Sequence, residues 1–200
     1  MRQERILFIN ACPRPNSRSY ALAQFVLSQL SGEVEEVQLF KEKDLHPLDY
    51  PALEERERCV QAGDFSSEYF RWAKQFSAAD CLVVAAPYWD LFFPSILRVY
   101  LEAVSVSGLT FRYGENGQVE SLCKAKQLIY VTTSGGFIGE MNYGYDYLKA
   151  LCQTMFCIPY ACCFSAEGLD IYGADEAAIL STARERILQG MVELQERRQS

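Results

Sequence analysis

A chain of 200 residues, half of them apolar and 22% charged, is long enough for one well-filled core and cramped for two. Its net charge of −7 argues against a surface built for nucleic acid or anionic lipid. No stretch approaches the roughly 20 apolar residues of a membrane span, and the basic start at Arg2 and Arg5 leads into an apolar run, 6–12, too short for a secretory leader.

"RILFINA" (5–11) reads as a fully buried strand, and "SYALAQFVLSQL" (19–30) sets Leu22, Phe25, Val26 and Leu30 on one helical stripe. "EVEEVQLF" (33–40) alternates as a strand does. A polar, proline-bearing connection follows over 41–63 and carries the chain's single histidine, His46, read as a loop residue. Phe65, Tyr69, Trp72, Ala73 and Phe76 then recur at helical spacing within 64–80, before a second buried strand, "CLVVAAP" (81–87). Pro94 opens the next helix, at a first-turn position where its missing N–H costs nothing. Asn116-Gly117 signals a hairpin turn. "KQLIYVTTS" (126–134) and "YACCFSAEG" (160–168) are further buried strands, separated by a helix over 142–156, and Asp175 caps a closing helix over 174–198. Strands of nearly continuous apolar character interleaved with helices predict one α/β domain over 1–200, a doubly wound, five-stranded parallel sheet with helices on both faces. Ligands of such sheets bind beyond the carboxyl ends of the strands, so the loops after residues 11, 87, 134 and 168 are the ones to inspect.

The first of these, "CPRPNSRS" (12–19), has two readings. As Cys-x5-Arg it resembles the loop of low-molecular-weight tyrosine phosphatases and arsenate reductases, with Cys12 as nucleophile and Arg18 as clamp. Against this, Pro13 and Pro15 remove two of the five amides such a loop would aim at an oxyanion, and no Asp-Pro dipeptide supplies the general acid. As a helix start, Ser17, Arg18 and Ser19 would cradle a phosphate above a packed Cys12, or form an ordinary cap. Tyr88 and Trp89 in "APYWDLFFP" (86–94) suit a planar ligand, and Gly135 and Gly136 in "TSGGF" (133–137) let backbone approach a ring closely. A phosphate cradle, an aromatic mouth and a glycine shelf on adjacent loops point to FMN. No zinc or iron–sulfur spacing occurs, so no metal is expected. The eight cysteines, several in or beside apolar runs, suit buried reduced thiols in a cytoplasmic protein.

The ordered set "CPRPNSRS", "APYWDLFFPSILRVYLEAV", "GLTFRYGENG", "TTSGG" and "YLKALCQTMFCIP" with "SAEGL" after it resembles the flavodoxin-like NAD(P)H quinone dehydrogenases and FMN-dependent NADH azoreductases, from about residue 5 to residue 190. The resemblance implies a homodimer with FMN near the subunit interface. Its phosphate would meet Ser17, Arg18 and Ser19, with Cys12 beneath, and its ring Pro87, Tyr88, Trp89, Asp90 and Leu91 on one side and Ser134, Gly135 and Gly136 on the other. Phe111 and Tyr113 would wall a pocket for a quinone or azo acceptor, reduced by NADH or NADPH through ping-pong exchange. Two departures stand out. Asp90 occupies a position at which the azoreductases carry an amide, and no histidine follows Gly136, which leaves Tyr143 and Tyr145 as candidate proton donors. A flavodoxin-type electron carrier is the alternative within the same fold; the "GLTFRYGENG" insertion and the open aromatic mouth speak against it.

Overall fold

The structure is a computed structural model and describes residues 3–199, so Arg2 of the basic start lies outside the described residues. Five strands, β1 (Arg5–Asn10), β2 (Glu33–Gln38), β3 (Cys81–Ala85), β6 (Gln127–Thr133) and β7 (Tyr160–Ala166), form one parallel sheet in the order β2-β1-β3-β6-β7. Alternate residues of β1 feed opposite faces: Leu7 and Ile9 join one core, and Ile6 and Phe8 join the other. The first core packs against α3 (Arg71–Ala78), α4 (Ser95–Val104) and α5 (Tyr143–Met155), through Trp72, Phe76, Leu97, Tyr100 and Leu148. On the opposite face, α1 (Arg18–Leu27) and α6 (Glu176–Gln199) contribute Leu22, Val26, Ile187 and Met191. The doubly wound sheet expected from the apolar runs is therefore present.

Strand order reverses at β1, whose neighbours are β2 and β3. The loops after β1 and β3 leave the sheet in diverging directions there and open a crevice. A small antiparallel hairpin, β4 (Phe111–Tyr113) with β5 (Val119–Ser121), turns at Gly117, which holds φ +75° as the Asn-Gly signal anticipates. Asp175 caps α6 as expected, accepting the Ala178 amide at 3.0 Å.

Four expectations need correction. The connection over 41–63 contains a helix, α2 (Tyr50–Ala62), capped by Asp49 and ended by Gly63 in the left-handed region. It buries no residue, so it carries no apolar stripe to betray it. The final strand is an edge strand with a largely half-buried surface rather than a buried one. Pro94 stands at the cap of α4, one position before its first turn. Cys157 is exposed, so the thiols are not uniformly buried, although all eight are free.

Candidate functional site

The loop after β1 is pinned from below. Asn10 Oδ1 accepts the Cys12 amide at 2.9 Å, and the Cys12 thiol points at the Ala85 carbonyl at 3.6 Å. Burial pushes that thiol up to about 11, well above its ordinary value near 9.0, with Ser17 opposing the rise. A nucleophilic cysteine needs the opposite shift. At the start of α1, Ser17 Oγ accepts the Tyr20 amide at 3.3 Å. Helix geometry leaves the other amides of this first turn without intrahelical acceptors. Ser19 is wholly buried, and its hydroxyl meets the Thr133 hydroxyl at 2.7 Å. Its side chain ties the loop to the end of β6 instead of facing a ligand. Arg18 forks onto Asp170, with 2.8 and 3.2 Å bonds, and lies 3.7 Å from Glu176.

The loop after β3 stays in register with β6 for a few residues more, through Ala86 N–H to Val131 O and Tyr88 N–H to Thr133 O, both 3.0 Å. Trp89 and Phe92 then exchange amide–carbonyl bonds of 2.9 and 2.8 Å across Asp90 and Leu91, which hold φ +51° and +66°. Positive φ at both central residues defines a type I′ turn, for which Asn-Gly is the comfortable sequence. A non-glycine pair there carries strain, of a kind that collects at ligand sites. This turn lifts Trp89, Asp90 and Leu91 to the surface, while Pro87 and Tyr88 remain half-buried. The Tyr88 hydroxyl donates to the Met141 carbonyl at 2.9 Å, so its proton is committed.

The glycine loop after β6 is fastened to the loop after β7. Ser134 donates to Ala166 O at 2.9 Å, and the amides of Gly168, Leu169 and Asp170 donate back to the carbonyls of Gly136, Ser134 and Gly135 at 3.0, 3.2 and 3.0 Å. Glu167 accepts the Ile138 amide and the Ser165 hydroxyl, each at 2.8 Å. The amides of Gly135, Gly136 and Phe137 meet no acceptor among the described residues. A Cβ built on Gly136 would meet open space, whereas one on Gly135 would strike Asp170 Oδ2 at 2.4 Å. Three donors without an acceptor among the described residues, with open space at the Gly136 Cβ position, suit the polar edge of a planar ring. A carboxylate-held guanidinium stands beside the amide-rich start of α1, where a phosphate fits.

Loop by loop, the four loops after residues 11, 87, 134 and 168 share the carboxyl ends of the strands, as expected. Ser134 and the two glycines lie beside the start of α1, joined through Ser19–Thr133 and Arg18–Asp170. Two more of the singled-out residues sit differently from the sequence reading. Phe111 is buried in the core and meets Tyr113 edge-on at 5.6 Å, so only Tyr113 offers an exposed wall. Tyr145 stacks beneath the site on Tyr130, at 6.0 Å and 21°, with burial pushing its phenol up. Tyr143, by contrast, is half-exposed at the start of α5, as a candidate proton donor must be. Glu167 and Thr133 lie inside quoted motifs but had no role assigned from sequence, and Asp170 lies just beyond them; "SAEGLD" at the end of the last strand has no cap signature to distinguish its acids from surface charges. A 560 Å³ cavity between Arg5, Glu33 and Gln75 lies at the other end of β1 and β2, away from this crevice.

A model of the flavodoxin-like fold family matches residues 4–191. The chain belongs to that family. Over 195 residues it is 31% identical to an FMN-dependent NADH:quinone oxidoreductase of Clostridium beijerinckii, covering 90% of this chain and 93% of the relative. A protein of the same name from Coprothermobacter proteolyticus is 27% identical over 194 residues, covering 90% of this chain and 94% of the relative. Among solved structures, an FMN-dependent NADH-azoreductase from Bacillus anthracis in complex with FMN superposes with a TM-score of 0.77 at 20% identity, covering 96% of this chain and 99% of that one. That last likeness concerns the fold alone. Among the described residues no group of three or more His, Cys, Asp or Glu gathers as metal ligands would, and no helix is long and apolar enough to cross a membrane.

Proposed function

We propose that this chain is an FMN-dependent oxidoreductase that takes hydride from NADH or NADPH and passes two electrons to a quinone or azo compound. The observation that carries the reading is the loop at 135–137, whose three amides meet no acceptor among the described residues and whose Gly136 has open space at its Cβ position, beside the cradle at the start of α1. The names of full-length relatives support it. Bound FMN would supply the reversible uptake and release of hydride at its ring. The chain's own residues bind and orient it. Ser17, Arg18 and the first-turn amides of α1 hold phosphate, the amides of 135–137 donate to the polar edge of the ring, and Tyr88 and Trp89 bound its other side.

Charge is handled by the same groups. Donors fixed on a rigid shelf stabilise negative charge on a reduced ring without reorganising. Asp90 opposes that, but it sits exposed at the tip of its turn, where solvent and salt screen it. Tyr143 is the group best situated to give a proton to a reduced acceptor.

Around the mouth, Trp89, Leu91, Phe137, Met141, Tyr143 and Tyr172 all expose apolar surface. A second copy of the chain covering this rim would exclude water from the pocket, which supports a homodimer. Purified protein should show oxidised-flavin absorption or acquire it on adding FMN. Initial rates with NADH and a soluble quinone should give parallel double-reciprocal lines. A protein that remains colourless in excess FMN overturns the reading. Release of phosphate from an aryl phosphate would favour the Cys12 reading, which the raised Cys12 thiol disfavours.

A further inference from the structure

We infer that Asp170 is a positioning residue of the phosphate site: it holds Arg18 across the gap between the phosphate cradle and the glycine shelf, and so sets the preference for a phosphorylated flavin. The inference rests on the flavin reading above and extends it to a residue outside the cradle. Both terminal nitrogens of Arg18 bond to the two Asp170 oxygens, 2.8 and 3.2 Å away, in a paired geometry that fixes the guanidinium plane. This arrangement leaves the Nε–H and the outer N–H of Nη2 for a further anion, while Nη1 also lies 3.7 Å from Glu176 Oε2. Asp170 is itself held in place. Its amide donates to Gly135 O at 3.0 Å, and its side chain lies against the Gly135 α-carbon, where any Cβ would meet Oδ2 at 2.4 Å. The absent side chain at Gly135 therefore serves the carboxylate as well as the shelf. Arg18, in turn, keeps the Asp170 carboxyl below its ordinary range through that bond.

An exposed ion pair alone adds little stability. What this one adds is order: a long cation that would otherwise sample many rotamers is confined beside the start of α1. That confinement matters for a ligand with a phosphate and is irrelevant to one without.

The test measures dissociation constants of FMN and of riboflavin, which lacks the phosphate, by flavin fluorescence quenching for wild type, Asp170→Asn, Arg18→Ala and the double variant. Asp170→Asn is expected to weaken FMN about tenfold and riboflavin less than about twofold, and the double variant to bind FMN as Arg18→Ala does, since Asp170 acts through Arg18. Equal weakening of both flavins would make Asp170 a scaffold residue and overturn the inference, as would additive losses in the double variant or tighter FMN binding by Asp170→Asn. Failure of the flavin reading would look different: wild type would then bind neither flavin.

Discussion

Cys12 shows how one side chain decides between two chemistries. Because burial raises its folded-state value to about 11 from near 9.0, the thiol favours the folded state fully below about pH 9, and that contribution is lost as pH rises through 11. Cys12→Ala should flatten the loss of stability in this alkaline window, measured by thermal melts at stepped pH, and should leave most NADH-dependent quinone reduction intact. Ser17 and Ser19, neighbours in sequence, part company in the fold. Ser19→Ala should destabilise the FMN-free protein by roughly 1 to 2 kcal/mol, because it strips a buried hydroxyl partner from Thr133. Ser17→Ala should do less to the melt and more to FMN affinity. An unchanged melt for Ser19→Ala would mean the bond to Thr133 carries no weight. From sequence, both serines read alike as cradle hydroxyls. What separates them is a contact with β6, 114 residues away, to which local spacing is blind.

At the scale of single elements, legibility followed burial. β1, β3 and β6 pack both faces and announce themselves as apolar runs. The helix α2 lies on the surface with its caps in plain view, Asp49 before and Gly63 after, yet without an apolar periodicity its interior looked like a connection. The turn at Asp90–Leu91 is a third case: nothing in the letters announces left-handed backbone at a leucine, since sequence rules expect glycine there. Leu91→Gly should relieve that strain and raise the melting temperature of the FMN-free protein by about 2 to 4 °C, as expected for about 1 kcal/mol in a domain of this size. A lowered melting temperature would mean that Leu91 packing outweighs its backbone cost. Gly135→Ala should act in the opposite sense, since the added methyl displaces the Asp170 carboxylate, and a loss of FMN affinity would report it.

At the scale of the molecule, the four loops are carried by a sheet whose order reverses at β1, and this much was foreseeable from five apolar runs alternating with helices. The apolar rim was not, because exposure is a property of the assembled surface. If a second copy covers that rim, Phe137→Glu together with Tyr172→Glu should shift sedimentation towards monomer and reduce turnover in parallel, since a buried charge at an interface is costly. A variant that sediments as wild type would put the contact elsewhere.

The fastening of Arg18 to Asp170 also has a bearing on how the protein is made. The two residues lie 152 positions apart, and the shelf itself is zipped to the loop that carries Asp170. During synthesis at about 5 to 20 residues per second, the cradle leaves the ribosome roughly 8 to 30 seconds before its counterpart. Within that interval the loops after β3 and β6 emerge in turn, and the loop that holds Arg18 comes last. If flavin binds as proposed, its capture waits until the last strand has docked, so retained colour should mark a chain that was finished, and one cut short before its final strand should emerge pale.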